Sequence, residues 1–185
     1  MNRKLVLLPL TVMLTVLIAP IFVIPASASV PPDLSPPFSV DIARLTSISG
    51  PERIWESNTK AGKTIYMRGI QVTGFYVLSD SEDNELHGLA ALRIDSDINV
   101  KRSQAHTHIS ILLTDEYGRW EGDMSLTTRW IAGDNMGAGY GTCTLRGYGA
   151  WIGFVITLRL SMDKTGVDMA GMMWDPHAHA WYPIV

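Results

Sequence analysis

The feature that most limits the fold of this chain is a series of strand-like runs interrupted by glycine, densest between Tyr117 and Met162. From Phe38 onward, apolar and polar residues alternate with the two-residue period of a half-buried strand. After the first 29 residues almost no segment has a helical period, and parallel strands would need such a segment as a crossover. The sequence therefore predicts an all-β domain with antiparallel strands.

Seven runs alternate regularly, and the two ends of the same region resemble them. The predicted strands are Phe38–Leu45, Ile65–Gly74, Gly88–Ile94, His106–Thr114, Trp120–Ile131, Gly141–Trp151, Phe154–Met162, Val167–Trp174 and His179–Val185. Eight or nine strands at short spacing are typical of a barrel or a sandwich. We expect a single antiparallel β-barrel of about eight strands over residues 38–185.

Turn residues separate these runs at four places, namely Asp80–Asn84, Asp115–Gly118, Gly133–Gly137 and Asp163–Gly166. Asp, Asn and Gly supply the positive φ angles and the side-chain-to-backbone bonds of tight hairpin turns. Glycines also occur inside the strands, where they weaken pairing unless the strand must bend sharply. Closing a small sheet into a barrel requires such bends, so the glycines favour a barrel.

The first 28 residues are typical of a signal peptide. Arg3 and Lys4 precede an apolar run, and Ala26-Ser27-Ala28 is a small-residue cleavage signature. We expect residues 1–28 to be removed, and residues 29–37 to form a proline-rich leader before the barrel. The apolar run is ~20 residues long, which is also the length of a membrane anchor, so an uncleaved anchor is the alternative.

Charge and cysteine content bound the partners of an exported domain. Without Arg3 and Lys4, 13 Lys and Arg face 18 Asp and Glu, a net charge of −5. Nucleic acids and anionic membrane surfaces select basic proteins, so neither is expected as a partner. Cys143 is the single cysteine, so no internal disulfide forms. We expect a secreted or cell-surface protein.

A further pattern joins W-E-G at Trp120–Gly122 to G-x-G-x-x-x-x-x-G-x-G at Gly139–Gly149, followed by an apolar strand. Over roughly Ile65 to Trp174, the chain resembles the small β-barrels related to allene oxide cyclase and dirigent proteins. The resemblance implies an eight-stranded antiparallel barrel with a central cavity. It also implies a superfamily that contains cyclases and stereochemistry-directing proteins, but no catalytic residue of the family matches a position here.

Two His-x-His pairs are the residues with the most obvious chemistry. Alternation places His106 and His108 on one face of a strand, ~7 Å apart, and His177 and His179 repeat the spacing near the C-terminus. If the two pairs meet, four imidazoles suit zinc or copper. The alternative is a set of solvent-facing histidines, since the first pair lies on the polar face of its strand.

Carboxylates offer acid–base chemistry instead. Glu121 and Asp123 share the polar face of one strand. Inside a barrel cavity, one of two close carboxyl groups has a raised pKa and can act as a general acid, which makes Glu121 a catalytic candidate. On the exterior the same residues form cross-strand ion pairs, and the bulky opposite face favours this second interpretation.

Aromatic and thioether side chains suit an apolar ligand inside the barrel. An eight-stranded barrel is near the size at which side chains either fill the interior or leave room for one small ligand, so plugs are the alternative. The candidate pocket residues are Trp120, Met124, Trp151, Phe154, Met169 and Met173.

Three functions are consistent with these features. The first is a non-enzymatic exported barrel with no cofactor, which binds a small apolar molecule or serves as a structural module. The second is a cyclase or isomerase that acts in a barrel cavity, with Glu121 or a histidine pair as its acid–base group. The third is a metal-binding protein that uses both histidine pairs.

Overall fold

The computed structural model describes residues 39–60, 62–80, 82, 84–130, 138–163 and 166–184. The predicted signal peptide, the leader and the predicted turn at Gly133–Gly137 lie outside these residues. The described residues form ten strands and no helix, so none of them belongs to a helix that could cross a membrane. The strands are β1 (Ser39–Ser49), β2 (Arg53–Thr59), β3 (Gly62–Ser79), β4 (Glu85–Asn99), β5 (Gln104–Thr114), β6 (Gly118–Arg129), β7 (Ala138–Gly149), β8 (Val155–Asp163), β9 (Gly166–Asp175) and β10 (Ala180–Ile184).

The strands form one antiparallel meander. From β3 to β10, each strand pairs with the next one along the chain. β1 pairs with the C-terminal half of β3 and β2 with its N-terminal half, so the two share one position at the edge. The sheet has nine strand positions and is nearly closed into a barrel. This confirms the predicted all-β antiparallel barrel, with nine positions instead of about eight.

The strand that the sequence does not predict is β2 (Arg53–Thr59). Six of its seven residues are exposed, so β2 has no face that is buried in the core. A strand without a buried face has no reason to alternate apolar and polar residues, and alternation was the signal by which strands were predicted.

One face of the sheet forms the core. On β5, Ala105, Thr107, Ile109, Ile111 and Leu113 are buried, and the residues between them are exposed. This is the alternation that the sequence predicts for Ile109, Ile111 and Leu113. Most of the buried apolar residues of β3 to β10 form a single cluster, so the curved sheet encloses one core. We call the opposite face the outer face.

Two glycines allow the backbone to approach other groups closely. Gly69 on β3 has a φ of +73° and lies at a register shift, and its position leaves no room for a Cβ beside the Glu52 carboxylate. Gly122 lies on the inner side of β6, where a Cβ would collide with the carbonyl oxygen of Thr144. Gly122 is therefore required for the close approach of β6 to β7.

Candidate functional site

Most of the predicted pocket residues belong to the packed interior. Trp120, Trp151 and Met173 have no more than 2% of their surface exposed. Phe154 and Met124 pack against the same cluster. The three aromatic rings pack against one another, with centroids 5.4 Å apart for Trp120 and Trp151 and 5.7 Å apart for Trp151 and Phe154. The predicted pocket residues Trp120, Trp151, Phe154, Met124 and Met173 therefore help to fill the interior of the barrel.

The remaining pocket and acid–base candidates lie at the surface. Met169 has 38% of its surface exposed. Glu121 lies on the outer face, where its side chain is 43% exposed and forms an ion pair with Arg119. The neighbouring outer-face carboxylate, Asp123, accepts a hydrogen bond from the Ser110 hydroxyl at 3.0 Å. Neither carboxylate occupies the buried setting that a general acid in a barrel cavity would need.

Asp115, in the turn between β5 and β6, is a carboxylate surrounded by four hydrogen-bond donors. It accepts bonds from the Tyr76 hydroxyl at 2.6 Å, from the Trp151 indole at 3.0 Å and from the backbone N–H groups of Tyr117 and Gly118, each at 2.8 Å. Burial, together with the Asp115 carboxylate, raises the pKa of Tyr76 well above its usual range. Tyr76 therefore stays protonated, and the network joins the turn to the core. From the sequence, Asp115 is visible only as a turn residue.

The first histidine pair lies on the outer face of β5. The His106 ring bonds to the Thr127 hydroxyl at 3.0 Å and lies 3.2 Å from the Gln104 amide nitrogen. His108 Nε2 lies 3.1 Å from the Asp123 carboxylate. The side chain of His108 is 54% exposed, so this pair faces solvent.

The second pair lies in the turn between β9 and β10. The His177 ring packs edge-on against Phe154 at a centroid distance of 5.7 Å, and the His179 ring packs against Trp174 at 6.3 Å. The backbone N–H of His177 donates to the Asp175 carboxylate at 2.7 Å. Aromatic contacts and a turn hydrogen bond account for the positions of these two residues.

The structure does not bring the two pairs together. Following the paired residues from His106 across β6, β7 and β8 leads to Asp168 on β9, which therefore lies at the same level of the sheet. The turn that holds His177 begins only after Asp175, seven residues further along β9, which corresponds to more than ~20 Å of strand. The pairs therefore lie at opposite ends of the barrel. No group of three or more His, Cys, Asp or Glu side chains in the described residues is arranged to hold a metal ion.

Two adjoining cavities open on the outer face of strands β3 to β7. The first has a volume of about 920 Å³ and the second about 410 Å³. We call them the Arg93 cavity and the His108 cavity, and together the outer groove. The outward side chains of the Arg93 cavity are Gln71, Thr73, Ala91, Arg93, Ser110, Leu112, Glu121, Asp123, Thr144, Arg146 and Tyr148. Those of the His108 cavity are Arg68, Asp95, Asp97, His106, His108, Ser125, Thr127, Tyr140 and Thr142.

Register explains why the two cavities adjoin. Ser110 on β5 and Thr144 on β7 line the Arg93 cavity, and the next outward residues on these strands, His108 and Thr142, line the His108 cavity. The contact between His108 and Asp123 joins one cavity to the other. The groove therefore runs along the strands, and its floor consists of side chains from five neighbouring strands.

The charged side chains of the His108 cavity are held by neighbours. Arg68 donates to the Asp97 carboxylate at 2.6 Å and to the Ser96 carbonyl at 3.1 Å. Its guanidinium also lies 5.3 Å from the centre of the Trp55 ring, which the edge strand β2 supplies. Asp95 accepts a bond from the Gly69 N–H at 2.8 Å. These contacts restrict the rotamers of groups that face solvent.

The Arg93 cavity has a similar cluster at its edge. Glu52 follows the cis Gly50–Pro51 peptide bond and accepts hydrogen bonds from the Arg93 guanidinium at 3.1 Å and the Gln71 amide at 3.0 Å. These bonds, the one from Arg93 first, hold the pKa of Glu52 below its usual value. Arg93 is therefore oriented by an ionised carboxylate that lies just before the edge strand β2.

The outer groove was not recognised from the sequence, although parts of its pattern were visible. Alternation in the sequence places Glu121 and Asp123 on one strand face. Tyr140 and Tyr148, which lie on β7 at the two ends of the groove, were not singled out. Alternation along each strand identifies outward residues, but only strand order and register reveal which of them are neighbours.

Comparison with known proteins returned no family model, no curated protein and no solved structure that matches this chain. The resemblance to the barrels related to allene oxide cyclase and dirigent proteins therefore stays a prediction.

Proposed function

We propose that this protein is an exported, non-enzymatic binding module that holds its ligand in the outer groove. The observation that carries the proposal is the pair of adjoining cavities across β3 to β7, lined by polar side chains that neighbouring residues orient. Groups that are oriented before binding lose less conformational entropy when a ligand arrives. The N-terminal segment supports export, since it has the pattern of a signal peptide.

A ligand in the outer groove is better supported than a small apolar ligand inside the barrel. The interior candidates Trp120, Trp151 and Met173 pack within one cluster, whereas the groove is concave and open. A cyclase or isomerase needs an acid or base in a dry cavity, and Glu121 is ion-paired and half-exposed. A metal site shared by both histidine pairs would have to join opposite ends of the barrel.

A matched pair of variants tests the proposed location. Ala91 is an exposed, outward residue that lines the Arg93 cavity, so Ala91→Trp should fill the groove. Ala170 is also exposed, on β9 outside the groove, and Ala170→Trp is the control. The mature protein should be screened by thermal shift against a panel of fatty acids, amino acids, polyols, short peptides, neutral oligosaccharides and charged polysaccharides.

We expect at least one class of compound to raise the Tm of the wild type and of Ala170→Trp but not of Ala91→Trp, because binding to the native state alone stabilises it. A compound that stabilises all three proteins equally would locate the ligand elsewhere. A panel without any stabilising compound would count against a binding module.

A further inference from the structure

Strand pairing limits what the outer groove can recognise. Each strand from β3 to β7 is hydrogen-bonded to a neighbour on both sides, so its backbone N–H and C=O groups are engaged within the sheet. Peptides that bind by strand addition need a free sheet edge. A ligand of the groove therefore contacts side chains, which favours a molecule that carries its own hydrogen-bonding groups along its length.

The charges of the groove are of both signs. Arg68, Arg93 and Arg146 face four carboxylates of the same surface. Polyanions select surfaces of uniformly positive charge, and polycations select negative ones. A groove that contains charges of both signs disfavours both and suits a neutral ligand. The four carboxylates are Asp95, Asp97, Glu121 and Asp123.

Hydrogen-bond donors and acceptors are also both present in the groove. The groove combines guanidinium groups, which only donate, with carboxylates, which only accept, and with the hydroxyls of Ser110 and Thr144 and the amide of Gln71, which do both. An alcohol group donates one hydrogen bond and accepts others. A molecule with many hydroxyls can therefore satisfy both kinds of partner at closely spaced positions.

Aromatic rings lie near the two ends of the groove. Tyr148 lines the Arg93 cavity and Tyr140 the His108 cavity, both as outward residues of β7. They are eight residues apart on that strand, a distance of roughly 26 Å. Tyr140 has 69% of its surface exposed. An exposed aromatic ring with a polar tip offers an apolar face for packing and a hydroxyl for hydrogen bonding, and sugar rings present both kinds of surface.

We propose that the outer groove binds a neutral carbohydrate chain laid along β7 between Tyr148 and Tyr140. The proposal rests on the proposed function, because it names the ligand class of the same groove. The distance between the two tyrosines exceeds the size of one sugar ring, so an oligosaccharide should bind more tightly than its monosaccharide.

Calorimetric titration of the mature protein tests the ligand class. The probes are neutral hexasaccharides of glucose, mannose, xylose and N-acetylglucosamine, their monosaccharides, and two polyanions, polygalacturonate and dextran sulfate. We expect at least one neutral hexasaccharide to bind, more tightly than its monosaccharide and with little dependence on salt, since no ion pairs are screened.

Three aromatic variants test the site. Tyr140→Ala should weaken hexasaccharide binding about tenfold through loss of ring packing, whereas Tyr140→Phe should retain most of the affinity because it keeps the ring. Trp181→Ala is the control, since Trp181 is an exposed aromatic residue on β10 outside the groove, and its affinity should equal that of the wild type.

The outcomes separate the two proposals. A polyanion that binds in a salt-sensitive way and is blocked by Ala91→Trp would overturn the carbohydrate inference and leave the proposed binding function standing. The carbohydrate inference would also be overturned if no hexasaccharide binds and a compound of another class binds in a way that Ala91→Trp blocks. The proposed binding function would stand in that case too. If a hexasaccharide binds and neither Tyr140→Ala nor Ala91→Trp changes its affinity, the proposed location of the binding site is wrong.

Discussion

The eleven residues of β5 alternate between an inner and an outer face, and the two faces have different roles. On the inner face, Ile109, Ile111 and Leu113 are buried in the core. On the outer face, His108 and Ser110 are exposed and both contact the Asp123 carboxylate. The free energy of unfolding should therefore depend mainly on the inner face, and ligand binding on the outer face. Substitutions on the two faces can test this separation.

The largest effect is expected at Trp120, which has 1% of its surface exposed and packs against Trp151 and Phe154. Trp120→Ala should lower the free energy of unfolding by ~3–5 kcal/mol, the cost of removing a buried aromatic side chain. Equilibrium urea unfolding measures this change. The control is Trp181→Ala, whose side chain is half-exposed and whose loss should cost ~1 kcal/mol or less. Equal costs would contradict the assignment of the faces.

A smaller effect is expected at Gly122. In Gly122→Ala, the added Cβ would meet the Thr144 carbonyl and push β6 away from β7, at a cost of ~1–3 kcal/mol. Gly139→Ala is a matched control on the neighbouring strand, because a Cβ there would lie no closer than 3.0 Å to its neighbours. Urea unfolding should rank Gly122→Ala as the less stable variant. The reverse order would mean that β6 and β7 do not need this close approach.

Alkaline pH probes the inner face through Cys143. Burial, with a contribution from the Asp123 charge, raises the pKa of the Cys143 thiol from 9.0 to about 12. Between these values the unfolded chain releases a proton that the folded chain keeps, so stability falls as pH rises, by ~1 kcal/mol per pH unit. Below pH 9 the contribution is fully present.

Cys143→Ala removes this titration. Its free energy of unfolding should decline less steeply than that of the wild type between pH 9 and 12, while the difference between the two proteins stays constant near neutral pH. Tyr76 stays protonated in the folded state of both proteins and ionises only in their unfolded states, so its contribution is the same in both and the difference in slope reports Cys143 alone. Parallel declines would indicate that the thiol is accessible to solvent.

The same separation of faces explains how much could be predicted from the sequence. Burial of one face imposes a two-residue period, which is why the orientation of Ile109 and His108 on β5 was predicted correctly. Arg53–Thr59 has no buried face, so no period marked it as β2.

The outer groove depends on strand order and register, which cannot be read from the residue pattern within any one strand. Arg93, Ser110 and Thr144 become neighbours only through the register of β4 with β5, β5 with β6 and β6 with β7. The two His-x-His pairs have the same local spacing, yet chain direction puts one near the start of β5 and the other beyond the end of β9. Spacing therefore identified the residues but not their distance from each other.

The smallest effect is expected on the outer face, at Glu52. Hydrogen bonds from Arg93 and Gln71 lower the pKa of Glu52 below its ordinary value of 4.5. A lowered pKa in the folded state means that the stabilisation is present above pH 4.5 and is lost as pH falls through the folded-state value. Glu52→Gln should therefore have a slightly lower Tm than the wild type at neutral pH, and this difference should vanish in acid.

Salt distinguishes the charge of Glu52 from its shape. Added salt should also reduce the Tm difference at neutral pH, because exposed ion pairs are screened. If the Tm difference persists in acid and in high salt, Glu52 stabilises the fold through its packing against Gly69 and not through its charge. If the difference is small and titrates as expected, the outer face tolerates changes of charge without loss of the fold. Its charged residues are then free to be selected for binding.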